Sequence, residues 1–208
     1  MIIAVDGPTA SGKGTIAKAL AEHFGLPHLD TGLLYRAVGY QVASNGGDPD
    51  DEEDALAGCG FDPLLLATPD LRNEEVGGLA SRVSVHTKVR NALFQRQRDF
   101  AMQEGGAVLD GRDIGTVIAP EAEVKLFVTA TTEERAARRY HEMRASGRNL
   151  TLEAVLKDLQ ERDARDEGRD DAPLMVAPDA HVIDTTELNR DQAIARAIEA
   201  VERISRAG

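Results

Sequence analysis

The chain opens on an unbroken apolar run at residues 1–5, closed by Asp6 and Gly7, the pattern of a strand buried on both faces. Apolar positions then switch to helical spacing at Ile16, Ala17, Leu20 and Ala21, which predicts a helix over residues 13–24. Further short apolar runs lie at 107–109, 124–128 and 181–183, each followed by helical periodicity. The spacing predicts a helix over 132–143, with Thr131 and Glu134 placed as a capping box. Leu152, Val155, Leu156 and Leu159 stripe the next helix, and Ile194, Ile198, Val201 and Ile204 the last. Strand and helix alternate throughout, so the expected fold is α/β: a doubly wound parallel sheet flanked by helices.

Composition narrows the function classes. The 208 residues fit one domain with a small insert, and 24 basic against 36 acidic side chains leave a net charge of −12, which works against broad binding to nucleic acid or anionic membrane. One cysteine, Cys59, excludes an internal disulfide, and neither a leader-like segment nor an apolar run of spanning length is present, so a cytoplasmic protein without membrane contact is expected. The charge is uneven. Residues 46–75 hold ten acids and one base, Arg72, read as the solvated face of an inserted subdomain, whereas residues 135–169 hold nine bases and seven acids, an excess able to face an anion.

The chemistry begins where the first strand ends. Gly7, Pro8, Thr9, Ala10, Ser11, Gly12, Lys13, Gly14 and Thr15 read G-x-x-x-x-G-K-G-T between a strand and a helix, a P-loop in its proper context. Its N–H groups and the helix start would hold the phosphates of a nucleotide, with Lys13 as a point charge between them. The hydroxyl that meets the metal stands one residue later than usual, at Thr15, the variant similar to nucleoside monophosphate kinases. Asp110, at the end of a second apolar run, is the candidate acid of the metal shell, although an Asp-Gly pair is also a common turn. The five histidines show no metal spacing and read as structural.

Four motifs in order, GPTASGKGT from Gly7, LDTGLLYR from Leu29, DGRDIGTV from Asp110 and ERDARDEGR from Glu161, resemble the bacterial-type cytidylate kinases over nearly the whole chain. The resemblance implies a single P-loop kinase domain over 1–208: a core of 1–45 and 101–208, a monophosphate-binding insert at about 46–100 and a short helical lid at about 140–169. It implies ATP and Mg²⁺ at the P-loop and CMP or dCMP as acceptor. By resemblance Arg36, Arg112 and Arg169 contact the acceptor's phosphate, Ser81, Arg90 and Asp113 read cytosine, and Arg162 and Asp166 neighbour the ribose. Ser84 competes with Ser81 for its place. Lys13, Arg112 and Arg36 are the expected catalytic charges, and Thr15 and Asp110 the expected metal side chains.

Physics supports the base readers separately, since a carboxylate accepts the exocyclic amine of cytosine and a guanidinium donates to N3 and O2. Read without the resemblance, the arginines at 162, 165 and 169 are equally explained as helix-surface ion pairs with Asp158, Glu161, Asp163 and Asp166. The expected activity is transfer of the γ-phosphoryl group of ATP to CMP or dCMP by a monomer. The alternative is a P-loop kinase for another nucleoside monophosphate or small-molecule acceptor. A guanine-reading switch would need an N-K-x-D segment, and no Asn precedes a Lys.

Overall fold

The computed structural model describes residues 1–207. It divides into two compact units, one of Met1–Leu29 with Ala101–Gly208 and one of Asp30–Phe100. The first unit is built on strands β1 (Ile2–Asp6), β3 (Ala107–Gly111), β4 (Val124–Thr129) and β5 (His181–Asp184), and the short β2 (His28–Asp30) completes a five-stranded sheet in the order β2-β3-β1-β4-β5. β1 runs parallel to both β3 and β4, and β4 to β5.

Every residue of β1 and β3 is buried, as their unbroken apolar runs require. On one face Ile3, Val5, Val108, Val124, Leu126, Val128 and Ile183 pack with Ile16 and Leu20 of α1 (Lys13–Phe24) and Ala197 and Val201 of α8 (Arg190–Ala207). The stripe seen at 194–204 is this contact. α1 has the bounds its periodicity predicts, and it stops where Gly25 takes a left-handed conformation.

α6 (Thr132–Ala145) and α7 (Leu152–Glu167) share a small apolar seam of Ala136, Met143, Val155 and Leu159. Leu152, expected in that stripe, is 42% exposed because it is the first residue of its helix. The capping box forms by half. The Thr131 hydroxyl accepts from Glu134 N at 3.3 Å, but Thr131 N donates to Thr186 Oγ1 and the Glu134 carboxylate instead receives Arg138.

The second unit is helical: α2 (Gly32–Ser44), α3 (Glu52–Gly58), α4 (Glu74–Val83) and α5 (Thr87–Ala101), with two tight turns at Pro63–Ala67 and Pro69–Arg72. Its acidic run has local uses. Asp51 and Asn73 cap α3 and α4, whose first turns carry Glu52, Glu53 and Asp54, and Glu74 and Glu75, where a helix dipole favours negative charge. Asp48 and Asp50 hold Arg82, and Glu52 and Glu53 hold Lys88.

Candidate active site

β1 and β3 are neighbours in parallel register, so the segments leaving their carboxyl ends, 7–15 and 112–118, emerge side by side. Crevices at such strand ends are where ligands sit in open α/β sheets. Gly7 is fixed there by sterics, because a Cβ would collide with the Val128 carbonyl. The loop then turns with Ala10 left-handed at φ 61° and enters α1 through Gly12, so that no side chain caps the helix and no acid occupies its first turn. That N-terminus remains available to an anion. Lys13 Nζ reaches back across the loop to Pro8 O at 3.3 Å, and Thr15 is exposed in the first turn.

Neighbouring elements hold the loop's shape. Arg135 of α6, buried, donates to Thr9 O at 3.1 Å and grips both carboxylate oxygens of Asp163 on α7 at 3.1 and 2.7 Å. Thr185, at the end of β5, places its hydroxyl 3.1 Å from Ser11 O and accepts from Arg138 Nη1. Neither Arg135 nor Thr185 stood out in the sequence, because each acts on the loop from more than a hundred residues away.

Arg112 joins the loop to α7, its Nη2 donating to Thr9 Oγ1 at 2.6 Å and its Nε to Asp166 Oδ2 at 2.7 Å. Burial works against its charge, but Asp166, with Asp110 and Asp163, reverses this and holds the guanidinium above its ordinary pKa. Asp166 also takes Arg169, and although burial opposes ionisation, the two arginines keep its carboxyl below the usual range. Arg162 lies 3.0 Å from Asp158 and burial lowers its pKa. Arg162, Asp166 and the Arg169 guanidinium are therefore buried, which a surface array of ion pairs would not produce.

Asp110 is 4% exposed, with Oδ1 2.7 Å from His28 Nε2, while its Oδ2 faces the second residue of α1, 3.5 Å from where a Cβ on Gly14 would stand. Among the described residues no group of three or more His, Cys, Asp or Glu could hold a metal ion. A carboxylate beside a phosphate loop fits Mg²⁺, which keeps several waters and takes the rest of its shell from phosphate oxygens. His28, read as structural, orients that carboxylate.

The second unit carries the remaining candidates. Arg36 on α2 donates from Nη1 to Leu71 O at 2.8 Å and Asn73 O at 2.7 Å, fastening the turn that starts α4. Ser81 is on α4. Ser84, its competitor, ends that helix and turns its hydroxyl back to Ser81 O at 3.0 Å. Arg90 on α5 is 6% exposed, with its guanidinium 5.8 Å from the Tyr35 ring centroid and Nη1 3.4 Å from Ser84 O.

Asp113, 4% exposed, stands at the start of a wide helical turn, Ile114–Ile118, yet makes no side-chain cap bond to it. Asp6, the last residue of β1, does so instead: Oδ1 accepts from Ile114 N and Oδ2 from Gly115 N, both at 2.8 Å. Asp6 is a residue that sequence reading missed. The available signal was a carboxylate ending a strand with no other polar residue.

Burial pushes the Asp6 carboxyl up to about 7; the two N–H donors and Lys13 pull it down and Asp113 raises it further. A carboxyl that binds its proton more tightly folded than unfolded makes the native state most stable below the unfolded value near 4, and that stability is lost as pH rises to about 7. Relative to Asp6→Asn, the ligand-free protein should lose on the order of 4 kcal/mol between pH 4 and 8, read from urea unfolding at each pH. A flat difference would show that folding leaves Asp6 unperturbed.

A family model for cytidylate kinase matches residues 3–59 and 66–203. The chain belongs to the cytidylate kinase family. Curated cytidylate kinases agree with this along nearly their whole length: that of Cereibacter sphaeroides strain KD131 is 58% identical over 200 residues, 96% of this chain and 94% of the relative. Those of Granulibacter bethesdensis and Caulobacter sp. strain K31 are 55% and 52% identical, covering 98% and 97% of this chain and 97% and 94% of theirs. The gap in the family match, 60–65, falls in the acidic segment of the second unit.

Solved structures share the fold at low identity. An uncharacterized protein from Eubacterium ventriosum superposes with a TM-score of 0.57 at 16% identity, covering 97% of this chain and 98% of that one. A gluconokinase from Sinorhizobium meliloti 1021 gives 0.53 at 17%, covering 99% and 94%. The parallel sheet flanked by helices expected from strand and helix alternation is the observed one, with the P-loop motif following β1.

Proposed function

We propose that the chain transfers the γ-phosphoryl group of ATP to CMP or dCMP, giving ADP and the cytidine diphosphate. What carries this reading is that the cytidylate kinase match covers both the P-loop and residues 110–113, at the carboxyl ends of the adjacent strands β1 and β3. An acceptor phosphate oxygen attacks the γ-phosphorus while the bond to the ADP oxygen breaks, so the protein's task is positioning and neutralising charge. Loop N–H groups and the start of α1 hold the donor's phosphates, and Lys13 balances charge on the group in flight. Thr15 and Asp110 are the residues that would hold Mg²⁺, which when bound neutralises the β- and γ-oxygens.

In the same reading Arg36, Arg112 and Arg169 take the acceptor phosphate, Arg162 and Asp166 the ribose side, and Ser81, Arg90 and Asp113 the base. The enzyme acts as a monomer in the cytoplasm, a single kinase domain in which about 46–100 serves the acceptor and about 140–169 forms the lid. No helix of the described residues is long and apolar enough to cross a membrane.

The test is one acceptor panel with ATP and Mg²⁺ over CMP, dCMP, UMP, AMP and dTMP. The cytidine nucleotides should give the highest kcat/KM, and a higher value for any other acceptor overturns the assignment. Asp113→Asn should narrow the preference for CMP over UMP by about 1 to 3 kcal/mol, roughly 5- to 150-fold, because an amide can also donate and so tolerates the O4 of uracil. An unchanged ratio of kcat/KM values would remove Asp113 from base reading.

A further inference from the structure

Resting on that reading, we infer that Asp6 is a positioning residue that couples the two halves of the site: from the last position of β1 it caps the turn that sets Arg112 and Asp113. The next residue after Asp6 begins the P-loop, and the two N–H groups it receives belong to the residues directly after Asp113. One carboxylate therefore ties the strand that launches the donor loop to the segment assigned to the acceptor.

The geometry makes this specific. The first N–H groups of a helical turn have no partner within it, and buried they need one. An aspartate at the start of a turn ordinarily supplies it from its own side chain. Asp113 makes no such bond, and Asp6 satisfies both donors from 108 and 109 positions away. The backbone of Asp113 is then held from two sides, by the capped peptides after it and through its carbonyl, which accepts from Val117 N at 2.8 Å and Ile118 N at 3.1 Å.

The pocket around the carboxylate is equally fitted. Gly115 allows the approach, since a Cβ there would stand 3.1 Å from Lys125 Cδ and 3.4 Å from Asp6 Oδ2. The charged groups around this turn are Lys13 of α1, Asp113 at its start and Lys125 of β4, whose ammonium is held by Asp179 at 2.8 and 2.9 Å. A carboxamide would keep one acceptor and set an NH₂ against the other N–H, releasing one of the two peptides. Because the replaced carboxylate is costly to ionise where it lies, the amide variant should fold.

The experiment compares the full chain with Asp6→Asn and Asp6→Ser by circular dichroism and urea unfolding, then by kcat and KM for ATP, CMP and UMP. In Asp6→Asn, kcat/KM for CMP should fall at least about tenfold and the CMP-to-UMP ratio at least about threefold, with KM for ATP moving less than about threefold, since only the acceptor turn is released. A folded variant whose CMP kcat/KM and CMP-to-UMP ratio stay within about twofold of wild type overturns the proposal, as does an equal loss for CMP and UMP accompanied by an equal rise in KM for ATP. Failure of both variants to fold makes Asp6 a residue of general stability and equally overturns it. If the wild-type chain itself prefers another acceptor, the cytidine reading fails, and the same comparison with that acceptor against its nearest analogue still decides the role of Asp6.

Discussion

Lys13→Ala should lower turnover with CMP by at least about a thousandfold while leaving the fold intact, because a charge aimed at the group in flight acts chiefly in the transition state. The expectation of an intact fold comes from the surroundings of the side chain. Its ammonium donates to the Pro8 carbonyl of its own loop at 3.3 Å, and the loop's shape is held from elsewhere by Arg135 at Thr9 O, Arg112 at Thr9 Oγ1 and the Thr185 hydroxyl beside Ser11 O. KM for ATP should rise far less than kcat falls, since the loop N–H groups and the helix N-terminus remain. Circular dichroism and steady-state kinetics on the same sample decide it. Activity within about tenfold of wild type in a folded variant would take the lysine out of the transition state.

What could be read in the sequence was what is local in the chain. The first strand, the phosphate loop and α1 were legible because the apolar run, the two flanking glycines and the helical spacing lie within 24 residues, and α1 has the bounds read from it. β2 was not, since three half-buried residues carry too little pattern to separate a strand from a loop. Residues 46–100 gave a charge count but no elements, although Asp51 before Glu52 and Asn73 before Glu74 are cap signals that the acidity masked.

The candidate site divides along the same line. Its contiguous motifs were visible, whereas the ties that fix them are long-range: Asp6 to Ile114, Arg135 to Thr9, His28 to Asp110. No periodicity encodes a hydrogen bond across a hundred residues. Ion-pair spacing on α7 gave the Arg162–Asp158 pair, but i to i+4 arithmetic does not reveal which face of a helix is buried. Arg162 and Asp166 prove to lie on the buried one.

Arg112 joins the phosphate loop to α7 from the segment that follows β3, and its replacement carries the second large effect. Arg112→Ala should lower kcat/KM for CMP by at least about three hundredfold, combining loss of a charge at the acceptor phosphate with loss of the bridge between Thr9 and Asp166. Arg112→Lys tests which property matters. A guanidinium directs Nη2 to the loop and Nε to α7 at once, whereas an ammonium is a point charge on a flexible stem, so lysine should recover no more than about tenfold of the loss. Asp166→Asn weakens the bridge, together with the Arg169 pairing and the ribose contact proposed for Asp166, but leaves the Arg112 guanidinium in place. If the bridge alone mattered, Asp166→Asn and Arg112→Ala would be equally impaired. With Arg112 on the acceptor phosphate, Asp166→Asn should retain at least about ten times the kcat/KM of Arg112→Ala, measured with CMP at saturating ATP. Wild-type kcat/KM in a folded Arg112→Lys would show that any cation at this position suffices and that the planar fork plays no part.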